Sequence, residues 1–291
     1  MRNLFITALT LLATSAMAID LAPLWDFNQP TVSEQRFRAA LETASGDDRL
    51  ILLTQVARTQ GLRENFDGAR AVLQQVEPSL PTAGAEARTR YFLELGRSWA
   101  SAKHAPEALT DDAKARARSA FQSALDTAKA AGLDSLAIDA VHMFAFIDTA
   151  PEQQLQSAQQ ALAIAQASSQ PAAQRWEASV RNNVGHALHQ LGRYDQALDQ
   201  FRTALTLREQ RGNGKAEAEA TRTAWWMVAW TLRALNRGDE ALAIQLRLEH
   251  EADAAAQPDP YVYEELALLF KARGDTEQAA AYEAKKMTVE K

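Results

Sequence analysis

The sequence predicts an all-α chain in which about six helix pairs stack end to end. Three observations carry that expectation. Between Asn183 and Leu205, small residues (Gly185, Ala197, Ala204) and bulky apolar ones (Val184, Leu188, Tyr194, Phe201, Leu205) recur at helical spacing, with a break at Gly192. This is the pattern of two amphipathic helices folded back on each other. Equivalent breaks follow at Asn236 and Gly274, 44 and then 38 residues further on. No segment of useful length alternates with the period of two that a half-buried strand needs. A coiled coil is a poor rival, because Gly or Pro interrupts the pattern every 15 to 20 residues or so.

The elements follow in order. Residues 1–18 open with Arg2, continue through an apolar run from Leu4 to Ala13 and end in Ala16-Met17-Ala18. Basic start, short apolar core and small-residue exit form the pattern of a secretory signal peptide. The rival is an N-terminal membrane anchor, but the run is far shorter than the roughly 20 residues that span a bilayer. Residues 19–46 form an irregular lead-in with Pro23, Trp25, Phe27 and Pro30, then a helix to about Thr43. Thr31-Val32-Ser33-Glu34 reads as a capping box that opens this helix, which caps the stack.

Residues 47–290 hold the helix pairs. The first runs from Asp47 to Gln60 and from Glu64 to Val76. The second starts near Ala85, carries Phe92, Leu95-Gly96 and Trp99, and resumes at Thr110 or Asp111 after an insertion from about Ser101, with Ala117, Phe121 and Ala124-Leu125 in its second helix. The third spans Ser135 to Ile147 and a helix from Pro151 to about Ala167. The fourth begins near Pro171. The fifth sets Trp225, Val228-Ala229 and Leu232 against Ala241, Ile244 and Leu248. The sixth starts at Asp259-Pro260, a cap followed by a first-turn proline, and runs through Tyr263, Leu266-Ala267 and Phe270 to Gly274, Ala279 and Tyr282. Gly96, Gly185, Ala229 and Ala267 read as crossing points, where only a small residue lets two helix backbones approach.

Val184-Gly185, Leu188, Leu191-Gly192-Arg193-Tyr194, Ala197 and Phe201 together resemble a tetratricopeptide repeat, a helix–turn–helix unit with small and aromatic residues at fixed offsets. The likeness covers roughly residues 47–290. The units here are longer than the usual 34 residues, and the expected closing proline is missing after several of them. The resemblance implies a right-handed superhelical solenoid whose first helices line a concave groove for a protein or peptide partner. It also implies which residues face that groove: the one after each crossing residue, and those three before and four after it. These are Asn182, His186 and His189 in the fourth unit, Trp226, Trp230 and Arg233 in the fifth, Glu264, Leu268 and Lys271 in the sixth, and Leu93, Arg97 and Ala100 in the second. Trp226 and Trp230, four apart, would form one aromatic wall beside Arg233, and tryptophan and arginine are common interface anchors. Trp225 takes the core aromatic slot. The carboxylate clamp of the family is only partly present: Asn182 and Asn183 are there, the flanking lysines are not.

Composition narrows the function. The net charge is −6, it falls by one more if Arg2 is removed, and no basic run appears, so nucleic acid and anionic membrane are poor partners. Without cysteine there is no thiol nucleophile, thiolate metal site or disulfide. No nucleophile elbow, zinc-protease helix, phosphate loop or dinucleotide fingerprint occurs, so neither catalysis nor a cofactor is expected. Asp47-Asp48 and Asp111-Asp112 fall at helix starts, where carboxylates complement the helix dipole. A metal site from His142, His186 and His189 is conceivable, though a polar groove lining explains them better. The expectation is an exported, periplasmic or secreted, non-catalytic binding protein. The alternatives are a structural subunit that uses its edges or terminal helices and, less favoured, an enzyme or metal binder.

Overall fold

The structure, a computed structural model, describes residues 19–212 and 214–289. The signal-peptide expectation for residues 1–18 falls outside them, as do Glu290 and Lys291. Among the described residues there is no strand, and six helix pairs follow one another. A lead-in and α1 (Pro30–Leu41) come first. The pairs are then α2 (Gly46–Leu62) with α3 (Phe66–Leu73), α4 (Ala85–Arg97) with α5 (Asp111–Ala130), and α6 (Asp134–Met143) with α7 (Pro151–Ala167). A single turn, α8 (Pro171–Gln174), leads into α9 (Glu177–Gln190) with α10 (Tyr194–Glu209). The stack ends with α11 (Lys215–Ala234) and α12 (Gly238–Ala254), then α13 (Pro260–Ala272) and α14 (Thr276–Val289). The chain is an all-α solenoid, as the periodicity predicted.

The turns inside the pairs share one geometry. Gly192, Asn236 and Gly274 have φ of +70°, +59° and +79°. In each case the next residue's N–H donates to the carbonyl five positions back: Arg193 to Leu188, Arg237 to Leu232 and Asp275 to Phe270. That left-handed residue with its six-to-one bond is the Schellman stop. Glu64, at φ +64°, stops α2 in the same way through Asn65 and Gln60. The 44- and 38-residue spacing therefore tracks the turn inside each successive pair. Thr110 and Asp259 cap α5 and α13 with their side chains, accepting from the N–H groups of Ala113 and Tyr261.

Packing within pairs follows from the small residues. A Cβ placed on Gly185 would lie 2.7 Å from the Phe201 ring, and one on Gly96 would overlap Phe121. Both phenylalanines are fully buried. Three large apolar cores run along the described stack: Phe37 to Tyr91 around α1–α4, Leu93 to Val180 around α4–α9, and Leu155 to Tyr282 around α7–α14. No described helix is long and apolar enough to cross a membrane.

Two details differ from the sequence reading. The capping box at Thr31 does not form: α1 starts one residue earlier at Pro30, with Gln29 in the cap position and no side-chain bond there. Ser33 instead exchanges hydrogen bonds with the Asp26 backbone, and Glu34 turns inward to Thr59 and Gln60 of α2 and to Arg63 just past its end. Tertiary partners outcompete the local cap. The helix expected from Pro171 is interrupted after one turn, at Arg175-Trp176, before α9 begins.

The lead-in runs along α2. The Ile19 N–H donates to Asp48, the Trp25 indole to Gln55, and Arg58 sits 5.9 Å from the centroids of the Trp25 and Phe27 rings. With α1 it covers the apolar edge of the first pair.

Candidate functional site

The first helices of the pairs, α2, α4, α6, α9, α11 and α13, are joined by side chains from one to the next. Arg58 of α2 donates to Glu94 of α4 at 3.1 Å. Arg97, one turn on, reaches both Glu94 and Asp139 of α6 at 2.5 Å and lies against the sulfur of Met143. His142 of α6 shares a 3.0 Å hydrogen bond with Asn183 of α9. His189 of α9 stacks on Trp230 of α11, ring centroids 3.3 Å apart. Arg233 of α11 grips Glu265 of α13 through two bonds of 2.7 Å.

The amino-terminal links are ionic and closed. The Arg97 side chain is only 12% exposed, and Leu93 and Ala100, the other groove positions expected in this unit, are buried. Leu93 and Ala100 belong to the apolar core, which corrects their assignment, and Arg97 is sealed between two carboxylates. Burial opposes charge on Arg97, but Asp139 and Glu94 outweigh it and hold the guanidinium protonated. Burial alone would raise the Asp139 carboxyl. Arg97, with Arg58 behind it, instead holds it below the usual carboxylate range. Such a pair, once formed, is costly to break from one side.

The carboxy-terminal links are aromatic and partly open. Trp226 and Trp230 stack at 5.7 Å and 20°. His186, also on α9, lies 5.9 Å from the Trp230 ring. Beyond Trp226 stands Tyr261, edge-on at 6.3 Å and 67% exposed, whose carbonyl accepts from the Trp226 indole N–H. The result is a row across three helices: His186 and His189, Trp230, Trp226, Tyr261. Burial, then the charges of His186 and Arg233, push the His189 imidazole down to about 4, so at neutral pH it is uncharged and stacks as an aromatic ring. Its Nε2 and the Oδ1 of Asn182 are buried without a hydrogen-bond partner among the described residues. Next to them, His142, Asn183 and His186 border a hollow of about 190 Å³ between α6, α7 and α9.

Several expected residues do other work. Arg233 holds Glu265, whose side chain is 4% exposed, so its fork is already filled and it ties α11 to α13. Glu264 pairs with Lys286 of α14. Lys271 is exposed, and Leu268, 40% exposed, faces solvent beside it on α13. Trp225, expected in the core, is only partly buried and lies under Arg247, 4.0 Å from the ring centroid. His142 binds Asn183 rather than meeting His186 and His189, and no cluster able to hold a metal ion occurs among the described residues. Sequence reasoning missed Tyr261. The carried-over offsets start at Glu264, but the Asp259-Pro260 helix start puts Tyr261 in the first turn, where its ring stays free.

The described helices form a helix-pair solenoid with this inner row along its first helices. Residues 176–248, from Trp176 to Leu248 through α9–α12, match the family model of the tetratricopeptide repeat, so this stretch is a tetratricopeptide-repeat segment. No curated protein sequence matches the chain. Among solved structures, it is similar to a Signal Transduction ATPase with Numerous Domains (STAND) protein with a tetratricopeptide repeat sensor from Pyrococcus horikoshii. The TM-score is 0.67 at 12% identity, over 89% of this chain and 39% of that one. The chain thus spans about two fifths of the archaeal protein. It is also similar to aspartyl phosphate phosphatase F from Bacillus subtilis, with a TM-score of 0.55 at 16% identity, over 91% of this chain and 76% of that one. At these identities the likeness is one of fold.

Proposed function

We propose that this chain is a non-catalytic recognition protein that holds a protein or peptide partner against the aromatic row on α9, α11 and α13. A fold of tetratricopeptide repeats supports protein–protein scaffolding in general. The observation that carries the specific reading is the stack of His189, Trp230, Trp226 and Tyr261: rigid rings, incompletely buried, aligned across three first helices. Aromatic rings held in place lose little entropy on binding and supply much of the energy at interfaces. Asn182 and His189, with buried polar atoms left unpartnered, add groups whose pairing a bound backbone would complete.

The start of the sequence supports export, with residues 1–18 removed and the remainder acting in the periplasm or outside the cell as a lead-in and a solenoid over 47–290. The acidic net charge favours a protein partner over nucleic acid. The test is capture from envelope extract by the immobilised chain, compared with Trp230→Ala and Trp226→Ala. Both variants should keep the helical circular dichroism signal and lose most of the retained partner. Undiminished capture by both would move the binding surface away from this row.

A further inference from the structure

Trp226 has a second neighbourhood. Away from Trp230 it walls a cavity of about 420 Å³ between α11, the end of α12 and the start of α13. Tyr261 forms the facing side, and Leu248 and Val262 contribute apolar lining. A second hollow of about 430 Å³ adjoins it and extends toward Trp225 and Arg247. Glu219, Arg222 and Gln257 line both.

Arg222 is the informative residue. It is half-buried and makes no hydrogen bond or ion pair among the described residues. Its charged neighbours are otherwise engaged or face water. Arg247 pairs with Glu251 at 3.6 Å and covers Trp225. Asp259 caps α13 through the Tyr261 N–H. Glu219 is exposed to solvent at the rim. With no acceptor among the described residues, its planar guanidinium fork is open to a carboxylate, which it fits through two bonds.

We infer that this double cleft binds an extended segment of the partner in which an apolar or aromatic side chain stands next to an aspartate or glutamate. The apolar side chain fills the cavity between Trp226 and Tyr261, and the carboxylate bonds to Arg222. The chain continues across the second hollow past Trp225. A cavity of this size lies within the roughly 300–1,000 Å³ of ordinary ligand pockets. Because hollows flank Arg222 on both sides, the geometry favours a passing chain with an acidic side chain over a chain terminus. The inference rests on the proposed partner-binding role of the neighbouring aromatic row and names the sequence chemistry that role selects.

The test uses nine-residue peptides, acetylated and amidated, on an array probed with the full chain and with Arg222→Gln and Trp230→Ala. The central pairs are Leu-Asp, Phe-Asp, Leu-Asn, Leu-Lys and Ser-Asp, and a further set ends in a free leucine carboxylate. Leu-Asp and Phe-Asp should bind roughly tenfold more tightly than Leu-Asn, the size of one charge-assisted bond. Arg222→Gln should erase that difference without moving the melting temperature. Equal binding of Leu-Asp and Leu-Asn, a preference for Leu-Lys, binding only of free carboxylate ends, or no binding of any peptide overturns the inference. If Trp230→Ala abolishes binding while Arg222→Gln leaves the peptide ranking unchanged, the aromatic row stands as the partner site and only the acidic-apolar assignment falls. If partner capture from extract survives both Trp230→Ala and Trp226→Ala, the aromatic-row reading itself falls.

Discussion

At the position after the crossing residue, α4 carries Arg97 and α11 carries Trp230. These are equivalent places in two units of one solenoid, yet they serve opposite ends. Arg97 is folded away between Glu94 and Asp139 and, with Arg58 on Glu94, completes an ionic link across α2, α4 and α6. Trp230 stacks between His189 and Trp226 and stays partly open. The amino-terminal half spends its inner row on cohesion, and the carboxy-terminal half leaves part of it available. What a unit does is therefore set by whether the neighbouring first helix offers a partner for that side chain, and not by the repeat pattern.

The sharpest way to test this contrast is Arg97→Ala. It strands the largely buried Asp139 and leaves Glu94 to Arg58 alone, and should cost about 3–5 kcal/mol, read as a lowered denaturant midpoint. A loss as small as that of Trp230→Ala would erase the distinction between the halves. Gly185→Leu comes next. Its side chain has to displace Phe201, and overpacking of this kind costs about 1–3 kcal/mol. An unchanged melting temperature would mean that α9 and α10 do not cross at Gly185.

Third is pH. The folded His189 imidazole sits at about 4 against an ordinary 6.5. As pH falls below 6.5 the unfolded chain takes up a proton that the folded chain refuses, so stability is full above 6.5 and declines toward 4. Burial lowers His186 and His142 too, which adds loss of the same sign. Melting temperature should fall from pH 7 to pH 5, and His189→Gln should flatten part of that slope; an identical slope in the variant would show that the stack tolerates an imidazolium. The smallest effect is expected at Glu64. Replacing a left-handed non-glycine relieves about 1–2 kcal/mol of backbone strain, offset by the roughly 0.4–1 kcal/mol that glycine's freedom adds to the unfolded chain. Glu64→Gly should therefore stabilise by about 0.5 kcal/mol, seen as a small rise in melting temperature.

The fold was legible because its signals are local. Gly192, Asn236 and Gly274 each stop a helix by backbone conformation alone, and Gly96 and Gly185 announce close crossings through a missing side chain. The Trp226–Trp230 stack was legible too, since residues four apart on one helix must share a face. The rest of the inner row was not. Arg97 and Arg233 have the residue type of a binding anchor, and only Asp139 and Glu265, 42 and 32 residues away, show that their forks are filled. The Thr31 capping box failed for the same reason, because Glu34 found Gln60 and Arg63 at the end of α2. Tyr261 and Arg222 escaped notice because their roles depend on where the α12–α13 turn sets the first turn of α13 against α11.

By itself the sequence determined the helical period, the turns and the order of the pairs, because hydrogen bonding within a helix and the steric demands of glycine act over a few residues. Only the tertiary structure decided which polar and aromatic side chains are satisfied within the chain and which remain for a partner. Ion pairing, stacking and desolvation depend on what the next helix brings to within a few ångströms, and no single stretch of sequence holds both sides of such a contact.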